Sequence, residues 1–318
     1  MPALYLSEDD VRDVIDMEMA IDAVEESFRR LADGTANNVA RRRVASPGIM
    51  LHSMSAAAEY LGLLGWKNYT TCKSGARFHV AIYNAASGEM TALIEADYLG
   101  QMRTGAASGV ATSYMARPDA KTVGLFGTGK QARTQLKAVC SVRRIERVEV
   151  YGRDDDRRRA FAEEMTEFCA TEVVPVHSPN EAAAEKDIII TATTSKAPVF
   201  DGKVFDEGTH LNVVGSNFLG KAEIDLTTVQ RADRIVCDSI EACQLEAGDF
   251  VEPLEDGLTD WQLMHELSDV VAGKKTGRVV PEDVTLFKSV GLATEDVALA
   301  AIIVERATEA GLGSELPF

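Results

Sequence analysis

The sequence predicts an α/β protein in which a doubly wound parallel sheet is combined with a separate α+β region. Three observations predict it. Apolar runs at Val123 to Phe126, Val148 to Tyr151, Asp187 to Ala192, His210 to Val214 and Ile235 to Asp238 are separated by helical patterns, as expected of strands covered on both faces. Within Lys121 to Asp156 the chain reads strand, glycine turn, helix, strand, a βαβ unit of about 30 residues. Ahead of these, Gly48 to Met54, Leu61 to Tyr69, Ala76 to Asn84 and Met90 to Glu95 read as short strands of a meander, with Ser87-Gly88 as a hairpin turn.

Taken in order, Ser7 followed by Glu8, Asp9 and Asp10 is an N-cap with an acidic first turn, opening an amphipathic helix with Val11, Val14 and Ile15. A second helix spans Met19 to Leu31 and ends at Asp33-Gly34. The triplet Arg41-Arg42-Arg43 follows. Side chains of a strand alternate faces, so Arg41 and Arg43 share one face and Arg42 takes the other. The triplet is either a pocket lining or an edge strand protected by charge. Lys67 sits between Trp66 and Tyr69 in an otherwise apolar strand, where a lysine either snorkels outward or serves a site. Asp97 to Met115 forms a helix whose Gly105, Ala106, Ala107, Ser108 and Gly109 permit close packing, with Arg103 near its start. The strands at Asp187 and His210 end in the polar loops Thr193-Thr194-Ser195 and Gly215-Ser216-Asn217, at the carboxyl edge where such sheets bind ligands. From Asp260 the chain turns helical, passes Gly273 and Gly277, reaches Thr285 to Gly291, and closes with a helix from Thr294 to about Ala310. There is no internal repeat.

The glycine turn carries the first chemical expectation. Gly127 permits the tight turn, Gly129 lets backbone amides approach a pyrophosphate, and Ala132 lets the helix pack on the strand. A pyrophosphate would sit at the helix N-terminus, where unpaired N–H groups and the helix dipole favour negative charge. Lys130, Gln131, Thr193 and Thr194 are expected to line the ligand. A dinucleotide is the ligand this pattern predicts.

Composition sets outer limits. The 318 residues suffice for two domains, and 50 acidic against 33 basic side chains give a formal charge of −17, which argues against nucleic acid and anionic membranes as partners. Residues 1–13 lack the basic start and apolar core of a signal peptide, and no apolar run approaches the roughly 18 residues that span a bilayer, so a cytoplasmic protein is expected. The five cysteines, Cys72, Cys140, Cys169, Cys237 and Cys243, show no metal-ligand spacing, and neither do the histidines. No metal site is expected.

The motifs taken together resemble the ornithine cyclodeaminase and mu-crystallin family over nearly the whole chain. They are Gly65-Trp66-Lys67, the segment from Gln101 to Ser108, the turn from Gly127 to Ala132, Val214-Gly215-Ser216-Asn217, and Thr285 to Gly291 with Glu295-Asp296. The resemblance implies a Rossmann-type doubly wound dinucleotide-binding domain at residues 118–293. It also implies an α+β substrate and dimerisation domain at residues 1–117, to which 294–318 return, and a homodimer formed through it. The implied chemistry is hydride transfer between a nicotinamide and the α-carbon of an amino acid or its imine. Lys67 and Arg103 fall on the family's substrate positions, with Lys67 the proton-transfer residue. Arg43 is the favoured third cation and Arg41 the alternative. Thr104, Val214, Gly215, Ser216 and Lys288 join the implied cofactor contacts.

Departures from the family pattern narrow the chemistry. Asn217 stands where cyclodeaminases carry an aspartate, and an amide cannot act as a general base, so cyclisation of ornithine is disfavoured. Reduction of an imine such as Δ1-pyrroline-2-carboxylate, or reversible dehydrogenation of a small L-amino acid, is the expected activity. The alternatives are a cyclodeaminase-type ammonia lyase and a non-enzymatic nucleotide-binding protein. Met54-Ser55 replaces a common Met-Pro, which bears on pocket shape. At the end of the second strand Gly152-Arg153 takes the place of the usual acid, and Arg153 favours NADP(H) over NAD(H), although Asp154, Asp155 and Asp156 pull the other way.

Overall fold

The structure is a computed structural model and describes residues 2–317. In chain order its first elements are β1 (Leu4–Leu6), α1 (Glu8–Val14), α2 (Met17–Asp33), β2 (Ala36–Ser46), β3 (Ile49–Ala58), β4 (Leu63–Cys72), β5 (Gly75–Asn84), β6 (Met90–Glu95) and α3 (Asp97–Met115). There follow β7 (Thr122–Phe126), α4 (Lys130–Val142), β8 (Arg147–Tyr151), α5 (Asp155–Cys169), β9 (Glu172–Pro175), α6 (Pro179–Ala183), β10 (Ile188–Thr191), β11 (His210–Val213), α7 (Leu226–Arg231) and β12 (Arg234–Cys237). The chain ends with α8 (Ile240–Glu246), α9 (Val251–Glu255), β13 (His265–Glu266), α10 (Leu267–Val271), β14 (Thr285–Lys288), α11 (Ala293–Ala310) and β15 (Ser314–Glu315).

One compact unit comprises the chain up to Thr104 and again from Gly291. Its seven-stranded sheet runs β15-β1-β6-β5-β4-β3-β2, antiparallel apart from the β1–β6 pair. Helices α2 and α11 cover one face, where Phe28, Met54, Val80, Ile82 and Val297 are buried. Gly65 makes this closeness possible: a Cβ there would lie 2.5 Å from a Val297 methyl. The capping box at Ser7 forms with Asp10, as the acidic first turn predicts. Helix α2 starts two residues before the expected Met19, because Asp16 accepts from the Met19 amide at 2.8 Å and caps the earlier turn.

The second unit is Gly105–Val290. All pairs in its eight-stranded sheet are parallel, in the order β13-β12-β14-β11-β10-β7-β8-β9. Buried Val123, Leu125, Val148, Val150, Ile188 and Ile190 from three neighbouring strands pack with Leu136, Val139 and Phe161 from the helices. Strand order reverses between β7 and β10, so a crevice outside their carboxyl ends is the expected ligand position in a sheet of this kind. The segment TLFK is strand β14, central between β11 and β12; the sequence pattern hides it because Lys288 interrupts the apolar run. Beyond Asp260 the expected helix is only the short α10 and a 3-10 turn at Trp261–Leu263. No helix among the described residues is long and apolar enough to cross a membrane.

Candidate active site

Lys67 points inward from β4, opposite Met54 on one side and Val80 on the other, and is only 3% exposed. Its Nζ donates to Asp296 Oδ1 at 2.7 Å. Arg103, near the middle of α3, donates from Nε to the same oxygen at 3.1 Å and from a terminal nitrogen to Glu295 Oε2 at 2.8 Å. Glu295 and Asp296 lie in the first turn of α11 and are fully buried. That turn is fixed by Asn38 of β2, whose side-chain oxygen accepts from the Ala293 amide at 2.8 Å. Carboxylates at a helix N-terminus are also favoured by its dipole.

Two glycines make room for the cations. A Cβ at Gly100 would stand 2.6 Å from Lys67 Nζ. At Gly291, which has a φ of +87°, a Cβ would stand 2.3 Å from an Arg103 nitrogen. Burial is the largest influence on Lys67 and lowers its pKa to about 8; Asp296 opposes the shift, while Arg103 and Arg41 reinforce it. Asp296 Oδ2 has no hydrogen-bond partner among the described residues, so the cluster keeps a buried acceptor in reserve.

Within the arginine triplet the deeply buried side chain is Arg41, the alternative, and not the favoured Arg43. Alternation holds, with Arg41 and Arg43 inward and Arg42 exposed, but only Arg41 is deeply buried, at 5% exposure. A bulge between Val39 and Arg42 offsets the register at this point. Arg43, the favoured residue, lies farther along the strand and donates from Nε to His52 Nδ1 at 3.2 Å. His52 stacks on Tyr69 with ring centroids 4.1 Å apart, and the Arg41 guanidinium lies 5.9 Å from the Tyr69 centroid. Burial, then Arg43 and Arg41, lowers the His52 pKa to about 4, so this ring is neutral at physiological pH. Arg41, Lys67 and Arg103 thus set three cationic side chains against two carboxyl groups, an excess suited to one anionic ligand group.

In the other unit, Gly127 has a φ of +110°, and a Cβ there would lie 2.4 Å from the Ala192 carbonyl oxygen. Gly129 is different: nothing lies within 4 Å of its Cβ position. It is the N-cap of α4 and makes no side-chain cap hydrogen bond, and Gln131 Oε1 in the first turn has no partner among the described residues. Open space and uncapped amides fit the phosphate-binding end of a dinucleotide. Sequence reasoning missed Arg133, which braces the turn by donating to the carbonyls of Thr128 (3.0 Å) and Gly129 (3.2 Å). Thr128 lies beside Gly152, Lys130 and Thr194 are exposed, and Val214 is half-buried. Thr104 is half-buried on α3 with its hydroxyl bonded to the Gly100 carbonyl at 2.7 Å.

Lys288 corrects an expectation. It does not reach a ligand-facing surface; it is fully buried, ion-paired with Asp249 at 2.7 Å and donating to the Ser216 carbonyl at 2.6 Å. At the end of β8, Asp154 caps α5 by accepting from the Arg157 amide, while Asp155 and Asp156 pair with Arg158 and Arg159. Arg158 is itself buried and donates to the Gly152 carbonyl at 2.5 Å, whereas Arg153 and Arg157 are exposed beside that turn. Asn217 follows Ser216 in the loop after β11, ahead of exposed Phe218 and Leu219.

A model of the ornithine cyclodeaminase/mu-crystallin family matches residues 3–311. The chain belongs to that family. Among its relatives, a Δ1-pyrroline-2-carboxylate reductase of Bacillus cereus is 38% identical over 273 residues, covering 83% of this chain and 84% of the relative. The solved Δ1-pyrroline-2-carboxylate reductase of Thermococcus litoralis, in complex with NADH and L-proline, superposes with a TM-score of 0.94 at 37% identity, covering 98% of this chain and all of that one. An archaeal alanine dehydrogenase dimer with bound NAD gives a TM-score of 0.94 at 30% identity, with both chains covered in full. In family terms the doubly wound unit is the Rossmann-type element.

Proposed function

We propose that this family member is an NAD(P)H-dependent imine reductase, interconverting a cyclic ketimine such as Δ1-pyrroline-2-carboxylate, or an open-chain α-imino acid, with a small L-amino acid. The observation that carries the reading is buried Lys67, held by Asp296 and crowded by Arg103 and Arg41 so that its pKa sits near 8. Arg41 and Arg103 hold the substrate carboxylate, with Glu295 and Asp296 fixing the Arg103 guanidinium from the protein side. Lys67 gives a proton to the imine nitrogen on reduction and takes it back on oxidation. The nicotinamide, when bound, supplies or accepts the hydride. Residues Gly127 to Gln131 hold its pyrophosphate, and the loops at Thr193-Thr194 and Val214-Gly215-Ser216 receive the nicotinamide half. Asn217, an amide, lends no base to ring-closing deamination and leaves reduction as the favoured chemistry.

The test is direct. Purified protein with NADPH or NADH and Δ1-pyrroline-2-carboxylate is expected to oxidise the cofactor and form L-proline. Loss of the reading would follow from no turnover with that imine or with imines formed from α-keto acids and amines. Ammonia released from ornithine at constant nicotinamide absorbance would instead identify a lyase, and nucleotide binding without any turnover would identify a binding protein.

NADP(H) is the favoured cofactor because the three acids after Arg153 are engaged within α5 while Arg153 stays exposed. Arg153→Ser is expected to lower kcat/KM for NADPH by about 10- to 100-fold, the worth of a charge-assisted phosphate contact, with little change for NADH. A wild-type enzyme that prefers NADH would exclude this assignment.

The chain is also proposed to form a homodimer through its seven-stranded sheet. Exposed Val39, Val44, Ile49, Leu51 and Leu64 share the sheet face away from α2 and α11, an apolar face suited to burial against a second copy. Leu64→Glu is expected to turn a two-chain mass in solution into that of one chain; a wild type already monomeric would refute the interface.

A further inference from the structure

We propose that Glu223 is a positioning residue for the nicotinamide half of the cofactor, a single buried carboxylate that locks together the two loops following β10 and β11. The inference rests on the reading that these loops receive that half. Glu223 is fully buried and lies six residues beyond Asn217 in the same segment. Its Oε1 accepts from the Thr193 amide at 2.6 Å and the Thr193 hydroxyl at 2.7 Å. Its Oε2 accepts from the Thr191 hydroxyl at 2.8 Å and the Gly215 amide at 2.7 Å. Four donors, one from the end of β10 and three from the two loops, therefore converge on two oxygens. Only a carboxylate satisfies them, because an amide would turn an N–H toward an N–H or O–H.

The loops are held at contact distance. A Cβ at Gly215 would lie 2.4 Å from both Glu223 Oε1 and the Thr193 carbonyl, so glycine is required where they meet. The clamp is itself anchored. The Glu223 amide donates to Asp249 Oδ1 at 2.6 Å, Asp249 pairs with Lys288, and Lys288 donates to the Ser216 carbonyl. The circuit returns to the loop it started from. Lys288 thus acts on the cofactor loops from behind, as a countercharge to Asp249 and Glu223. Burial raises the Glu223 pKa, opposed in part by the Thr193 hydrogen bond and by Lys288.

A positioning role differs from a general structural one in what it spares. The phosphate end of the cofactor is held by the turn from Gly127 to Gln131, which Glu223 does not touch, so only nicotinamide-dependent affinity should suffer. The experiment titrates wild type, Glu223→Gln and Thr191→Val with NADPH and with 2′-phospho-ADP-ribose, and with the NADH and ADP-ribose pair alongside. Thr191 is fully buried in β10, and valine removes one clamp donor without changing volume, so this variant stands if the glutamine variant fails to fold. Glu223→Gln is expected to weaken the intact cofactor by about 10- to 100-fold and Thr191→Val by roughly 3- to 10-fold, with both fragments bound as by wild type. Unchanged cofactor affinity in the variants overturns the clamp alone. Equal losses for cofactor and fragment also overturn it, as damage to the whole unit. A wild type that binds neither cofactor nor fragment overturns the nucleotide reading and the clamp together.

Discussion

Lys67→Met is expected to lower kcat for imine reduction by about 10²- to 10⁴-fold, the usual worth of a positioned proton donor, with cofactor affinity close to wild type. Methionine keeps the length of the buried side chain, and Asp296 still has Arg103 as its partner. The pH dependence gives a sharper check. With the Lys67 pKa near 8, kcat/KM for reduction should be level below that pH and fall tenfold per unit above it, because the ammonium form is the donor. The reverse oxidation should rise to a plateau above the same pH. Stability carries the matching sign: between about 8 and the ordinary 10.5 the unfolded lysine is protonated and the folded one is not, so stability increases with pH across that window. A wild-type rate profile without a limb near pH 8, or a methionine variant with full turnover, would exclude Lys67 as the proton carrier.

Asp296→Ala should show the largest loss of stability. Asp296 neutralises Lys67 and Arg103 at once, and removing it leaves two buried cations with one remaining carboxyl neighbour, Glu295. Breaking buried pairs of this kind costs about 3–5 kcal/mol, enough to lower Tm by on the order of 10 °C. Asp296→Asn separates charge from shape, since its oxygen can still accept from Lys67. Asp296 is the one influence holding the Lys67 pKa up, so the asparagine variant should shift the alkaline limb of reduction to lower pH. Unchanged Tm in the alanine variant, together with an unchanged pH profile in the asparagine variant, would mean that the pairing is incidental.

Local patterns were read correctly where the physics is local. The turn between β7 and α4 follows from glycines whose neighbours in sequence are their neighbours in space, and the capping box at Ser7 closes over three residues. The meander strands follow from alternation, though their ends were misplaced by a few residues. Arg41 against Arg43 was undecidable on that basis, because alternation puts both on one face. The choice depended on a bulge and on the stacking of His52 against Tyr69, neither of which has a signature in the triplet itself. The burial of Lys288, which the resemblance sets among the cofactor contacts, has no local signature, because its countercharge Asp249 arrives from a distant segment.

The sequence alone determined the family and the doubly wound sheet, carried by short-range spacing of glycine, apolar and charged residues. Tertiary structure alone decided which charges meet. Glu295 and Asp296 find Lys67 and Arg103 across nearly 200 residues and more of chain, and Glu223 draws two loops onto one carboxylate. The reason is electrostatic: a buried charge is tolerable only with a partner, and the partner is chosen by the packing of α11, β4 and the loops, not by distance along the chain.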